Sequence, residues 1–171
     1  MPEITLRLLD GRQAAEHTED FTALHGEVCP SEDLDFGRRF AVHRRQPGFA
    51  LAEARHGEFL VGYAYGAPLR QSTSWWRGVT TPLPEDVTEE YPGRTFALTG
   101  LAVRAAWRRQ GIGRDLYDLV LESRREERAT TLVPPEAAAA RQAFQNWGWN
   151  RVARTRDDSG VADLLLVKLQ G

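Results

Sequence analysis

Leu98-Thr99-Gly100-Leu101-Ala102-Val103-Arg104-Ala105-Ala106-Trp107-Arg108-Arg109-Gln110-Gly111-Ile112-Gly113-Arg114 decides how this chain is read. It opens as an apolar, strand-like run, turns through a short basic segment and becomes an amphipathic helix at Gly111. A strand that feeds a glycine-rich turn at a helix N-terminus can hold phosphate with bare backbone N–H groups. The glycines allow close approach of the backbone, and the arginines add positive charge.

The flanking sequence places this unit in a mixed order of elements. Ile4 to Leu9 predicts a strand stopped by Asp10-Gly11. Arg12 to Gly26 predicts a helix, and Ser31 an N-cap for a second helix to about Arg45. Phe49 to Ala54 and Phe59 to Ala67 form a hairpin pattern around His56-Gly57. Pro68 to Arg94 is irregular, and Phe96 to Val103 is a central strand. Gly111 to about Arg128 is the strongest helix, with Ile112, Leu116, Leu119 and Val120 on one face. Thr130 to Val133 is a short strand, and Pro134-Pro135-Glu136 opens a helix to about Trp147. Trp149 to Arg154 and Val161 to Leu169 close the chain as a hairpin around Asp157-Asp158-Ser159-Gly160. Hairpins at both ends and strand–helix–strand between them predict an α+β layer structure.

Composition narrows the class. The 171 residues are enough for one domain with a real core. A net charge of −2 argues against general nucleic-acid binding. Cys29 is the only cysteine, so no internal disulfide framework is expected, and it reads as a small core or loop residue. His17, His25, His43 and His56 form no metal-spaced pair, and no metal is expected. No apolar run is long enough to span a bilayer, and Met1 to Asp10 lacks the pattern of a secretion signal. A cytoplasmic protein without a membrane partner is the expectation.

Three phosphate-binding patterns compete for the glycine turn. A dinucleotide fingerprint needs a third small residue three positions after Gly113, where Leu116 stands. A P-loop needs Gly-Lys-Ser/Thr, and the only lysine is Lys168. The third pattern, Arg/Gln-x-x-Gly-x-Gly/Ala after a valine-containing strand, is matched by Arg108-Arg109-Gln110-Gly111-Ile112-Gly113. It resembles the pyrophosphate loop of the GCN5-related N-acetyltransferase (GNAT) family. Leu101-x-Val103 upstream, Leu116 downstream and Ala140-x-x-x-Phe144-x-x-x-Gly148-Trp149 resemble further family motifs, and Val61 to Gly66 resembles its second and third strands. The resemblance covers nearly the whole chain.

The resemblance implies one domain over 1–171: a mixed, mostly antiparallel sheet splayed between strands four and five, flanked by about four helices. It implies acetyl-CoA as co-substrate. The turn from Arg109 through Gln110, Gly111 and Ile112 to Gly113 would hold the pyrophosphate, with Arg108, Arg109 and Arg114 as outer contacts. Leu101 and Val103 would pair with the pantetheine arm, and Phe144 would pack against it. The backbone at Leu101 or Ala102 would stabilise the oxyanion. Two positions depart from the family: Gly100 stands where many members carry glutamate, and Phe144 where many carry tyrosine, so the usual base and acid are missing. Glu53, Tyr65 and Thr99 are the substitute candidates. Phe36, Arg39, Phe40, His43, Trp75 and Trp76 would form the acceptor pocket, while Glu85, Asp86, Glu89 and Glu90 read as a solvated acidic loop. The expected acceptor is an amine of a small molecule or a protein, with a homodimer as a possible assembly. The alternative is a CoA-binding module with weakened catalysis.

Overall fold

The computed structural model describes residues 3–28, 35–157 and 160–169. Cys29 and Ser31, and the Asp158-Ser159 centre of the last turn, lie outside these residues. Among the described residues seven strands join in the order β1-β2-β3-β4-β5-β7-β6. They are β1 Thr5–Leu9, β2 Ala50–His56, β3 Phe59–Pro68, β4 Thr95–Val103, β5 Arg128–Val133, β6 Asn150–Asp157 and β7 Gly160–Lys168. Among the described residues six α-helices lie between them: α1 Gly11–Ala15, α2 Thr18–Val28, α3 Phe36–His43, α4 Glu85–Thr88, α5 Ile112–Glu122 and α6 Ala138–Asn146. The pairs β1–β2, β2–β3, β5–β7 and β6–β7 are antiparallel, and β4 runs parallel to β5 from Thr95–Arg128 to Ala97–Thr130. The mixed, mostly antiparallel α+β class is as expected. Contacts divide the chain into two compact units, residues 1–67 with 98–124, and residues 68–97 with 125–171.

The first unit begins with a capping box. Asp10 accepts from the Gln13 N–H while the Gln13 side chain accepts from the Asp10 N–H, each at 2.9 Å. The single helix expected over Arg12 to Gly26 is two helices. The chain restarts at His17, whose carbonyl accepts from both Asp20 and Phe21. One face of β2 and β3 then buries an aromatic cluster under α2 and α3. Phe40 meets Tyr65 edge-on at 5.3 Å, and Phe21 meets Tyr63 edge-on at 5.9 Å. Such rings bury large apolar areas and prefer these tilted contacts.

The opposite face carries small residues, paired Ala52–Ala64 and Ala54–Gly62. A Cβ at Gly62 would stand 3.0 Å from Leu116 Cδ1 and 3.0 Å from the Ala102 carbonyl oxygen. That absence of side chain lets α5 lie close against the strands. Ile112, Leu116, Tyr117, Val120 and Leu121 form its buried stripe. The helix ends at Glu122, short of the expected Arg128. Ser123 Oγ donates to the Val120 carbonyl at 2.8 Å, drawing the last turn closed.

The second unit holds the irregular segment after β3. Thr80 N donates to the Arg154 carbonyl at 2.9 Å, and Arg156 N donates to the Gly78 carbonyl at 2.8 Å, which ties the segment to β6. α6 starts at Ala138 rather than at the prolines, because Ala137 N closes a turn onto the Pro134 carbonyl at 3.0 Å. Buried Asp163 on β7 is ion-paired with Arg141, Arg151 and Arg154.

Candidate functional site

The glycine turn is built by backbone conformation. After β4 a short 3-10 turn, Ala105–Trp107, lifts the chain away from the strand. Arg109 then takes φ +64° and Gly111 φ +80°; Arg109 is the only non-glycine residue with positive φ among the described residues. Left-handed backbone outside glycine is strained and gathers at functional sites. Gly111 is the N-cap of α5 and supplies no side-chain cap. The N–H groups of Arg109, Gln110, Gly111, Ile112 and Gly113 donate to no backbone carbonyl of the described residues. Unfilled N–H groups at the positive end of an 11-residue helix attract an anion.

The side chains around the turn divide in role. Ile112 is buried and anchors the helix start. A Cβ at Gly113 would meet only Val103 Cγ2 at 3.8 Å, so the helix start stays open there. Arg108, Arg109, Gln110 and Arg114 are exposed. Arg108 Nε donates to the Val103 carbonyl at 3.0 Å, which fixes the base of its side chain. Arg114 pairs with Asp118 at 3.3 Å and lies 5.1 Å over the Tyr117 ring, so its guanidinium runs along the helix.

At the other end of this stretch, Leu101 and Val103 are half-buried and Ala102 is buried. Gly100 has a definite physical cause. A Cβ there would stand 2.3 Å from Tyr65 Cε1 and 2.8 Å from Cζ. The Tyr65 ring occupies the space that a side chain at position 100 would need. Burial raises the Tyr65 phenol to a pKa of about 12, so it keeps its proton at neutral pH. Thr99 Oγ1 donates to the Tyr65 carbonyl at 3.5 Å. Gly100→Ala is therefore expected to destabilise the protein by about 1–3 kcal/mol through overpacking. In a Tyr65→Ala background the same Gly100→Ala change should cost much less in urea unfolding. Simple addition of the two single effects would contradict the contact.

Phe36 and Phe40 share the apolar core of the first unit with Tyr65 and Ala102, while Trp75, Trp76 and Phe144 belong to the second unit. Glu53 is only 1 % exposed and is held by Arg55, which also bonds Asp20 at 3.0 Å and the Glu58 carbonyl at 2.7 Å. Phe36 and Phe40 lie inside the aromatic core of the first unit, and Arg39 is exposed on α3. In the second unit, Trp75 Nε1 donates to Thr130 Oγ1 at 3.2 Å and Trp76 Nε1 to Glu90 Oε2 at 3.0 Å. Arg128 covers the Trp76 ring at 5.2 Å. Glu90 is buried, not solvated as expected, because these groups and Thr95 converge on its carboxylate. Phe144, also in the second unit, is buried edge-on against Trp147 and Trp149. The sequence points to His43 only as an acceptor-pocket residue. Its ring is half-buried 6.1 Å from the Tyr65 ring, a proximity that no motif or spacing signals.

Among the described residues no group of three His, Cys, Asp or Glu could hold a metal ion, and no helix is long and apolar enough to cross a membrane.

Residues 13–149 match the acetyltransferase (GNAT) family. The chain belongs to this family. No curated protein sequence matches the chain. Several solved GNAT structures share its fold. The ribosomal-protein alanine N-acetyltransferase of Escherichia coli is similar with a TM-score of 0.71 at 13% identity, covering 99% of this chain and 96% of that one. Arabidopsis thaliana NAA60 in complex with acetyl-CoA is similar at 0.69 and 14%, covering 99% and 100%. An aminoglycoside N-acetyltransferase in complex with CoA is similar at 0.59 and 16%, covering 85% and 87%.

Proposed function

We propose that this GNAT chain transfers the acetyl group of acetyl-CoA to an amine of a small molecule or protein, by direct attack in a ternary complex. The observation that carries the reading is the row of unfilled N–H groups from Arg109 to Gly113 at the start of α5. The fit is physical: the left-handed Arg109 and Gly111 leave these donors without backbone acceptors, and the exposed arginines add charge. Acetyl-CoA supplies an acetyl thioester and a pyrophosphate.

In this reading the N–H groups of Arg109 to Gly113 hold the pyrophosphate, and Arg108, Arg109 and Arg114 make outer contacts. Leu101 and Val103 align the pantetheine arm through the strand backbone. The N–H of Leu101 or Ala102 receives the oxyanion that forms on attack. An alkyl ammonium, with a pKa of roughly 10, must first lose a proton. The kinship in fold to enzymes named for protein alanine and for aminoglycoside acceptors supports an amine and leaves both acceptor classes within the proposal.

A second reading has its own observation. Tyr65 fills the place beside Gly100, and Phe144 has no proton to donate, which favours a CoA-binding module with weakened catalysis. Thiol release from acetyl-CoA, measured against a panel of peptides, polyamines and aminoglycosides, separates the two. Amine-dependent release with an acetylated product is expected. CoA binding without release on any amine would favour the module.

A further inference from the structure

The chain lacks a carboxylate at position 100, and the structure bears on what takes the amine's proton instead. Glu53 is enclosed on β2 and neutralised by Arg55. Thr99 offers an alkyl hydroxyl, which is no base at neutral pH. Tyr65 stays protonated because of its burial, so it donates a hydrogen bond and does not accept the proton.

His43 is different. It ends α3, and its ring packs against Tyr65, 6.1 Å between centroids at 44°. The Tyr65 ring in turn fills the side-chain space of Gly100. His43, Tyr65 and Gly100 thus form a row that ends on β4 just before Leu101. Nδ1 of His43 is buried without a hydrogen-bond partner among the described residues, although the ring is only half-buried. A neutral ring protonated at Nδ1 keeps that N–H inside and leaves the lone pair on Nε2. Nε2 is the nitrogen left to meet an incoming group. Among the described residues, Arg39 from α3 and Tyr65 from β3 are the titratable or charged groups that face the ring. Burial first, and then the Arg39 charge, holds His43 below the ordinary histidine range. The ring is therefore neutral and ready to accept at neutral pH.

We propose that Nε2 of His43 takes the proton of the acceptor ammonium, with Tyr65 as the neutral hydrogen-bond donor between it and β4. The proposal rests on the acetyltransferase reading above. The ammonium N–H bond breaks and its proton passes to Nε2. The freed nitrogen pair forms the C–N bond at the thioester carbon, and the C–S bond breaks. A second proton from that nitrogen passes to the thiolate sulfur. His43 then releases its proton to solvent, so each turnover frees one proton overall.

The test uses the full chain, acetyl-CoA and two probes, a tetrapeptide with a free α-amine and spermidine. On the better probe, His43→Gln should lower turnover about 100-fold. The KM for acetyl-CoA and the CoA affinity should not change. The acidic limb of the wild-type pH profile should vanish, and added imidazole should restore part of the rate of His43→Ala. Independently of turnover, the His43 ring carbon signal in NMR should titrate at the pH of that limb, below the ordinary histidine value. Wild-type turnover and an unchanged acidic limb in His43→Gln would overturn the proposal, as would a His43 midpoint unrelated to the limb. A wild-type protein that binds CoA but acetylates neither probe would instead overturn the acetyltransferase reading, and this proposal with it.

Discussion

Gly113→Glu is expected to weaken CoA binding about 1,000-fold. The position lies in the first turn of α5, where backbone N–H groups lack acceptors. A glutamate there brings a negative charge to within about 4 Å of the proposed pyrophosphate. At an effective dielectric near 20 this repulsion is worth about 4 kcal/mol, or roughly three powers of ten. Its carboxylate also competes for the same N–H donors. Gly113→Ala is the control. Its Cβ meets only Val103 Cγ2 at 3.8 Å, an ordinary contact, so affinity should fall little and the helix should gain slightly. Gly111 is less suitable, because φ +80° strains any side chain there. Isothermal titration with CoA reads both variants. Equal affinity in Gly113→Glu and wild type would remove the pyrophosphate from this turn.

Glu90→Ala should destabilise the protein by about 3–5 kcal/mol. Glu90 Oε2 accepts from Trp76 Nε1 at 3.0 Å, Thr95 Oγ1 at 3.1 Å and Arg128 Nη2 at 3.0 Å. Arg128 also reaches the Val87 carbonyl at 2.6 Å and Thr95 Oγ1 at 2.9 Å, with its side chain only 12 % exposed. Removing the carboxylate leaves a guanidinium enclosed without its counter-charge and an indole N–H without an acceptor. Burial already lowers the pKa of Arg128, which shows how poorly the site tolerates an unpaired cation. Glu90→Gln keeps one oxygen acceptor and should lose less. Urea unfolding followed by tryptophan emission measures both, and a loss below about 1 kcal/mol in Glu90→Ala would contradict the network.

The turn and helix start of the candidate site were legible because their signals are local. Gly111 and Gly113 announce a turn and a helix start, and Leu101-x-Val103 announces the strand before it. The sheet was legible through hairpin patterns, as in Phe49 to Ala67. The rest depends on groups far apart in the chain. Nothing near Gly100 reveals that a ring 35 positions earlier fills its space. Glu90 sits in an acidic run that reads as solvated, and only its convergence with Trp76 and Arg128 buries it. Arg124 and Arg128 continue a charged helical pattern, yet β-pairing to Lys168 claims Arg128 for a strand. Tertiary contacts overrode the local pattern at that boundary.

The division into two units has a spectroscopic consequence. Of the five tryptophans, Trp75, Trp76, Trp147 and Trp149 lie in the second unit and only Trp107 in the first. Three of the four tyrosines, Tyr63, Tyr65 and Tyr117, lie in the first. Indole emission is thus mainly a thermometer for residues 68–97 and 125–171, and phenol absorbance for the rest. The same sample, followed at two wavelengths, tells whether the halves melt together or one after the other.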